Sequence, residues 1–109
     1  MEERRRYQRT YVQRHAGEYD YALEIDGKYY YASIVDISSG GARFSIKDAP
    51  DYNMNGYYGS IKNDYYDAQY LLNRDYKVVW NYKDYIGVAF NDMLDKEYDD
   101  LNYYYASYA

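Results

Sequence analysis

The sequence predicts a mainly β fold, a six-stranded antiparallel β-barrel with a C-terminal α-helix. Three observations predict this fold. Apolar and polar residues alternate along most of the chain, as in strands with one buried face. Short clusters of Gly, Asn and Asp interrupt the alternation about every ten residues. The alternation changes to a helical period only after residue 90.

The strands are predicted from the alternating segments. The clearest pair is joined by Asp26-Gly27, a dipeptide that readily adopts the positive φ of a two-residue hairpin turn. A bend or bulge is predicted at residues 73–75, and Trp80 and Phe90 are expected to face the core. The predicted strands are 19–25, 28–35, 42–46, 57–62, 68–80 and 86–90.

The C-terminal helix is predicted over about residues 92–108. Asn91 and Asp92 are candidate N-cap residues, since short polar side chains accept hydrogen bonds from the first turn. Apolar residues then recur every three or four positions, at Leu94, Tyr98, Leu101, Tyr105 and Tyr108. This stripe is expected to cover an open end or side of the barrel.

Length and composition indicate one folded domain. The chain has 109 residues, of which 21 are Tyr, and tyrosine rings are expected to fill part of the β core. The absence of Cys excludes a disulfide framework and thiol catalysis. No apolar run approaches the length of a membrane span, which is about 18 residues. We therefore expect a cytoplasmic protein.

Charge divides the chain into two parts. Residues 1–14 carry a net charge of +3, whereas the rest carries −8 of the total of −5. An acidic body argues against a general nucleic-acid coat protein, whose basic surface supplies most of its non-specific affinity. We accordingly interpret residues 1–14 as a basic N-terminal ligand-binding arm and residues 15–109 as the barrel with its helix, together one domain.

Two arginines in the arm are spaced as Arg-x-x-x-Arg, at Arg5 and Arg9. Each guanidinium has five donors in a fixed plane, so it can pair with phosphate oxygens or with the O6/N7 edge of guanine. Such a run could also be a solvated basic tail.

A second polar segment runs from Asp36 to Gly41, between two predicted strands. The Asp36 carboxylate could accept the N1–H and N2–H₂ donors of guanine, and Ser38 adds a small donor and acceptor. Gly40 and Gly41 permit positive φ and the close approach of a flat ligand. An ordinary hairpin turn is the structural alternative, because Asp, Ser and Gly are common in turns.

In this order, the two motifs resemble those of the PilZ domain, the bacterial receptor module for cyclic di-GMP. The match continues at residues 78–80 and 87–90, which are similar to the family's last two strands, and in the C-terminal helix. The resemblance implies a split-barrel fold in which the arm closes over the ligand. An extra cation before the arginine pair implies binding of a stacked ligand dimer. The implied ligand-binding residues are Arg4, Arg5, Arg9, Asp36, Ser38, Gly40 and Gly41.

The resulting prediction is a bacterial cyclic di-GMP sensor whose arm becomes ordered on binding and relays the signal to a protein partner. Two alternatives stay open: a ligand-independent protein–protein adaptor of the same fold, and a small barrel that binds single-stranded nucleic acid by tyrosine stacking. The acidic body counts against nucleic acid, and the intact motif residues Arg5, Arg9, Asp36 and Ser38 count against the adaptor. No nucleophile and base can be paired, so we expect no enzyme, metal or cofactor beyond the ligand.

Overall fold

The computed structural model describes residues 8–13, 18–63 and 70–106. Seven strands and one short helix lie in these ranges. The strands are β1 (Thr10–Tyr11), β2 (Tyr21–Ile25), β3 (Lys28–Ser38), β4 (Gly41–Ile46), β5 (Tyr58–Ile61), β6 (Asp75–Tyr82) and β7 (Tyr85–Phe90). The helix α1 (Tyr98–Leu101) continues as a π-helical turn over Asn102–Ala106.

Strands β2 to β7 form a closed six-stranded antiparallel barrel, which confirms the predicted fold. They neighbour one another in the order β3, β2, β5, β6, β7 and β4, and β4 pairs with β3 to complete the circle. The short strand β1 was not predicted. It lies along the part of β3 that extends beyond β2, with Thr10 opposite Ile37 and Tyr11 opposite Asp36. Among the described residues, no helix is long and apolar enough to cross a membrane.

Tyrosines take part in the core as the composition predicts. Tyr21 and Tyr76 are fully buried beside aliphatic side chains, and Tyr21 meets Phe44 edge to face with ring centroids 5.9 Å apart. The buried Tyr76 hydroxyl donates to the carbonyl oxygen of Glu24 at 2.9 Å, so its polar end is satisfied. Burial away from water raises the pKa of Tyr76 well above its ordinary value.

The first hairpin turn forms where it was predicted. Asp26 and Gly27 have φ values of 52° and 84°, the pair of positive values that a two-residue turn of this kind requires. The Glu24 carboxylate also accepts the N–H of Gly27 at 2.6 Å. Local sequence chemistry therefore determines the register of β2 against β3.

The predicted start of the C-terminal helix is wrong. Residues 91–97 are not helical, because their backbone groups bond to the barrel: the N–H of Asn91 donates to Asp75 and that of Leu94 donates to Ser39. The helix begins only at Tyr98, where the Asp100 carboxylate accepts the N–H of Glu97 at 3.2 Å. The predicted end lies outside the described residues.

The prediction for Trp80 is also wrong, whereas Phe90 is buried as expected. The β6–β7 register shifts between Val78 and Trp80, a bulge that ends the alternation of inward and outward side chains. Val79 and Trp80 are therefore both exposed, and Trp80 keeps 37% of its surface accessible. Its ring lies on the outer surface of the barrel.

Candidate ligand-binding site

The pairing of β1 with β3 brings the two predicted motifs together. Tyr11 lies opposite Asp36, and the N–H of Val12 donates to the carbonyl oxygen of Val35 at 2.9 Å. Arg9 directly precedes β1, so its side chain reaches Asp36 although 27 positions separate the two residues. The Arg9 Nη1 to Asp36 Oδ1 distance is 2.7 Å.

A second arginine holds the other carboxylate oxygen. Arg43 lies opposite Asp36 in the β3–β4 register, and its Nη2 is 2.7 Å from Asp36 Oδ2. The Asp36 side chain is only 1% exposed, whereas those of Arg9 and Arg43 are 47% and 34% exposed. The carboxylate is therefore buried beneath two guanidinium groups that still reach solvent. The one carboxylate and the two guanidinium groups together carry a net charge of +1.

A bulge in β3 gives Asp36 this position. The β3–β4 register shifts between Ile34 and Asp36, so the alternation of the strand is interrupted. Ile34 and Ile37 both belong to the core, and Asp36 between them is buried among polar groups instead. The bulge lets one strand supply both core side chains and the acidic centre of the site.

The turn after β3 requires glycine for packing. Neither Gly40 nor Gly41 has a positive φ, in contrast to the expectation from the sequence. A Cβ on Gly41 would lie 2.2 Å from the carbonyl oxygen of Val88, so β7 passes too close for a side chain. The Gly40 carbonyl accepts the N–H of Phe90 at 2.9 Å. Ser38 is buried, and its hydroxyl faces the Gly41 carbonyl at 3.5 Å.

Trp80 extends the site along the outside of the barrel. Arg43 lies opposite Gly87 on β7, and Gly87 lies opposite Trp80 on β6. A Cβ on Gly87 would be 2.2 Å from Trp80 Nε1, so the indole covers the glycine. The row from Asp36 through Arg43 and Gly87 to Trp80 thus places a flat aromatic surface over the strand next to Arg43.

From the sequence, Arg43 was interpreted as a plain surface arginine rather than a ligand contact, and its ion pair with Asp36 and the outward orientation of Trp80 were missed. Arg43 follows the glycine turn by two positions, which placed it on an outward face but gave no sign of its partner. The orientation of Trp80 depends on a bulge that no turn residue marks. The available signal was a glycine at position 87, inside a predicted strand, since glycine in a strand often accommodates a close neighbour.

The site is also connected to the C-terminal helical turn. Gln13 follows β1, and its N–H donates to the carbonyl oxygen of Tyr105 at 2.9 Å. The same short segment therefore contacts Asp36 at one end and the helical turn at the other. Of the predicted site residues, Arg4 and Arg5 lie outside the described residues.

Comparison with known proteins identifies the family of the chain. The family model of the PilZ domain matches residues 3–107, nearly the whole chain. The chain belongs to the PilZ domain family. PilZ domains form a family of cyclic di-GMP receptor modules and are not a known enzyme family. No match to the chain was found among curated proteins or among solved structures. Within the described part of this PilZ domain, no three His, Cys, Asp or Glu side chains are arranged to hold a metal ion.

Proposed function

We propose that this PilZ domain binds cyclic di-GMP on the outer barrel wall around Asp36. The observation that carries the proposal is the Arg9–Asp36–Arg43 cluster, in which one buried carboxylate orients two partly exposed guanidinium groups. Oriented guanidinium groups suit a ligand with two phosphates and two guanine bases, because both phosphate oxygens and the O6/N7 edge accept their paired N–H donors.

Each predicted residue has a chemical role in this proposal. Arg9 binds phosphate or guanine, Asp36 accepts the N1–H and N2–H₂ donors of guanine, and Ser38 offers a hydroxyl at the turn. Gly40 leaves the turn without a side chain over the ligand, and Gly41 lets β4 pack closely against β7. Trp80 supplies a face on which a base can stack, a contact typically worth about 1–3 kcal/mol.

The arm extends the site beyond the described residues. We assign Arg5 to the ligand together with Arg9, and Arg4 to a second, stacked ligand molecule. Binding then orders the arginine arm that precedes β1. Because residues 9–13 contact both Asp36 and the Tyr105 carbonyl, ordering of the arm would reach the C-terminal helical turn and a protein partner docked there.

The remaining assignments follow from this role. We propose a bacterial cytoplasmic receptor that performs no catalysis and needs no cofactor other than its ligand. The adaptor and single-strand alternatives have less support. An adaptor would not need the buried arginine–carboxylate cluster, and an acidic body opposes a polyanion.

Isothermal titration with cyclic di-GMP tests the proposal, with GTP and cyclic di-AMP as controls. Selective binding of cyclic di-GMP is expected, and a stoichiometry near two nucleotides per chain is expected if Arg4 has its proposed role. A protein that is folded by circular dichroism but releases no heat would contradict the proposal and favour the adaptor.

A further inference from the structure

The Asp36 carboxylate is closed to ligand in this structure. Both oxygens accept a guanidinium N–H at 2.7 Å, and the side chain is 1% exposed. Each carboxylate oxygen has two lone-pair sites, so a guanine edge that donates N1–H and N2–H₂ needs one free site on each oxygen, and Arg9 can keep its single bond to Oδ1 beside it. Because the carboxylate is buried beneath both arginines, one of them must move before a base can reach it.

Guanine and arginine present similar donors to a carboxylate. The N1–C2–N2 unit of guanine is itself a guanidine-like group with two N–H bonds that point the same way. A guanidinium group offers a planar fork of the same kind. Arg43, which bonds to Oδ2 alone, consequently occupies part of the position that a guanine edge would take.

We propose that Arg43 is an internal competitor of the ligand, which covers Asp36 until a guanine edge displaces it. This inference rests on the proposed function. Arg43 then sets the affinity of the site, because only molecules with a displaced Arg43 side chain can accept the base. The apparent dissociation constant rises as the fraction of molecules with a displaced Arg43 side chain falls.

Two features indicate that Arg43, rather than Arg9, is displaced. The Nε of Arg43 is buried without a hydrogen-bond partner among the described residues, an arrangement that disfavours the closed position. The backbone of Arg43 is paired on both sides, with Asp36 and Gly87, so only its side chain has to rotate.

The first experiment replaces Arg43 by Met, which keeps an unbranched apolar stem but removes the donors. Arg43→Met is expected to bind cyclic di-GMP about tenfold more tightly, as for a site that is open in about one tenth of the molecules. Simple electrostatics predicts the opposite, since the variant loses a positive charge near an anion.

Lys77→Met is the matched control, because Lys77 is an exposed cation on β6 whose Nζ lies over the Tyr58 ring and not at Asp36. It is expected to bind the ligand about as the parent does or slightly more weakly. Affinity in Arg43→Met that equals or falls below that of this control would overturn the inference. If Arg43→Met does not fold, Arg43→Lys serves instead, since an ammonium group lacks the planar fork, and a smaller increase in affinity is expected.

A second measurement separates this inference from the proposed function. The ¹³Cγ resonance of Asp36 is followed while guanosine or adenosine is added. Guanosine is expected to shift it in Arg43→Met much more than in the parent, and adenosine in neither. If guanosine shifts the Asp36 resonance in this way but neither protein binds cyclic di-GMP, Arg43 is still a competitor for Asp36, and cyclic di-GMP is rejected as the ligand. Equal binding of cyclic di-GMP by parent and variant would retain the ligand and reject the role of Arg43.

Discussion

Two walls of the barrel differ in the surroundings of their carboxylates. The site wall consists of Arg9, Asp36, Arg43, Gly87 and Trp80, and its one carboxylate is buried and bonded to two arginines. The acidic wall consists of Glu24, Asp26, Tyr58 and Asp75, which line an open groove of about 430 Å³. Only the site wall suits a phosphate ligand, because its arginines offset its carboxylate whereas the groove presents three acidic side chains.

This difference shows how a positively charged site arises in an acidic protein. The net charge of −5 describes the whole chain and says little about one site. Solvated carboxylates on the acidic wall are screened by salt beyond about 8–10 Å. Local pairing of Asp36 with two cations therefore decides the charge that the site wall presents.

The largest expected effect comes from removing Arg9 from the site wall. Arg9→Ala should weaken cyclic di-GMP binding by about 2–5 kcal/mol, since a hydrogen-bonded charge contact is lost. Arg9→Lys should restore only part of this affinity because an ammonium group has no planar fork. Titration calorimetry measures both, with Lys77→Ala on the outer surface of β6 as the control. Full affinity in Arg9→Ala would reject the site assignment while leaving the fold unaffected.

Gly41→Ala tests the packing beneath the site wall. The added Cβ would lie 2.2 Å from the Val88 carbonyl oxygen, so β4 and β7 must separate. We expect a loss of about 1–3 kcal/mol in the free energy of unfolding, measured by urea denaturation. Gly27→Ala is the comparison, because its Cβ would meet nothing within 4 Å and its cost, about 1 kcal/mol, arises from positive φ alone. A smaller loss for Gly41→Ala than for Gly27→Ala would contradict the close contact.

Asp36→Ala and Asp75→Ala compare the two walls directly. Removing Asp36 leaves two guanidinium groups facing each other, and partial exposure of both limits the expected destabilisation to about 1–3 kcal/mol. Removing the exposed Asp75 side chain should change stability by less than about 0.5 kcal/mol. Thermal or urea unfolding of both variants measures the difference. Equal effects would mean that the buried pairing contributes nothing to the fold.

Tyr76→Phe gives the smallest expected effect on stability. It tests the hydrogen bond from the buried Tyr76 hydroxyl to the backbone of Glu24, a residue of the acidic wall. Losing the bond to the Glu24 carbonyl should cost about 1 kcal/mol of unfolding free energy at neutral pH, whereas Tyr58→Phe at the exposed surface should cost almost nothing.

The same variant should change the response to alkaline pH. Burial raises the pKa of Tyr76 in the folded state, so above pH about 10 the unfolded chain loses this proton first. Stability should therefore be independent of Tyr76 ionisation below that pH and fall as pH rises further. Unfolding curves between neutral and alkaline pH should decline less steeply for Tyr76→Phe. An unchanged slope would show that Tyr76 ionises equally well in the folded protein.

Local patterns predicted the parts of the fold that depend on neighbouring residues. Asp26-Gly27 predicted the first turn because positive φ is a property of the dipeptide itself. The helix was harder to locate, since the apolar period continues from Leu94 to Tyr105 although residues 91–97 bond to the barrel instead. Periodicity could not show which hydrogen-bond partner those backbone groups would take.

The candidate site was likewise predictable from the sequence only in part. The residue types at Arg9, Asp36, Ser38 and Gly41 were visible as motifs, because the chemistry of their side chains suits a guanine nucleotide. Their contact required β1, a two-residue strand too short to be recognised by alternation. The Asp36–Arg43 ion pair depends on the register of β3 against β4, including the bulge, and so was not predictable from either segment.

The β class of the protein, its first hairpin, its tyrosine-containing core and the residue types of the candidate site could all be predicted from the amino-acid sequence. These properties follow from alternation, local conformational preference and side-chain chemistry. The cover of two arginines over Asp36, the outward orientation of Trp80 and the connection of the site to the C-terminal turn through β1 became visible only in the folded barrel. Each depends on register between segments distant in sequence, and such pairings are set by the packing of the whole barrel.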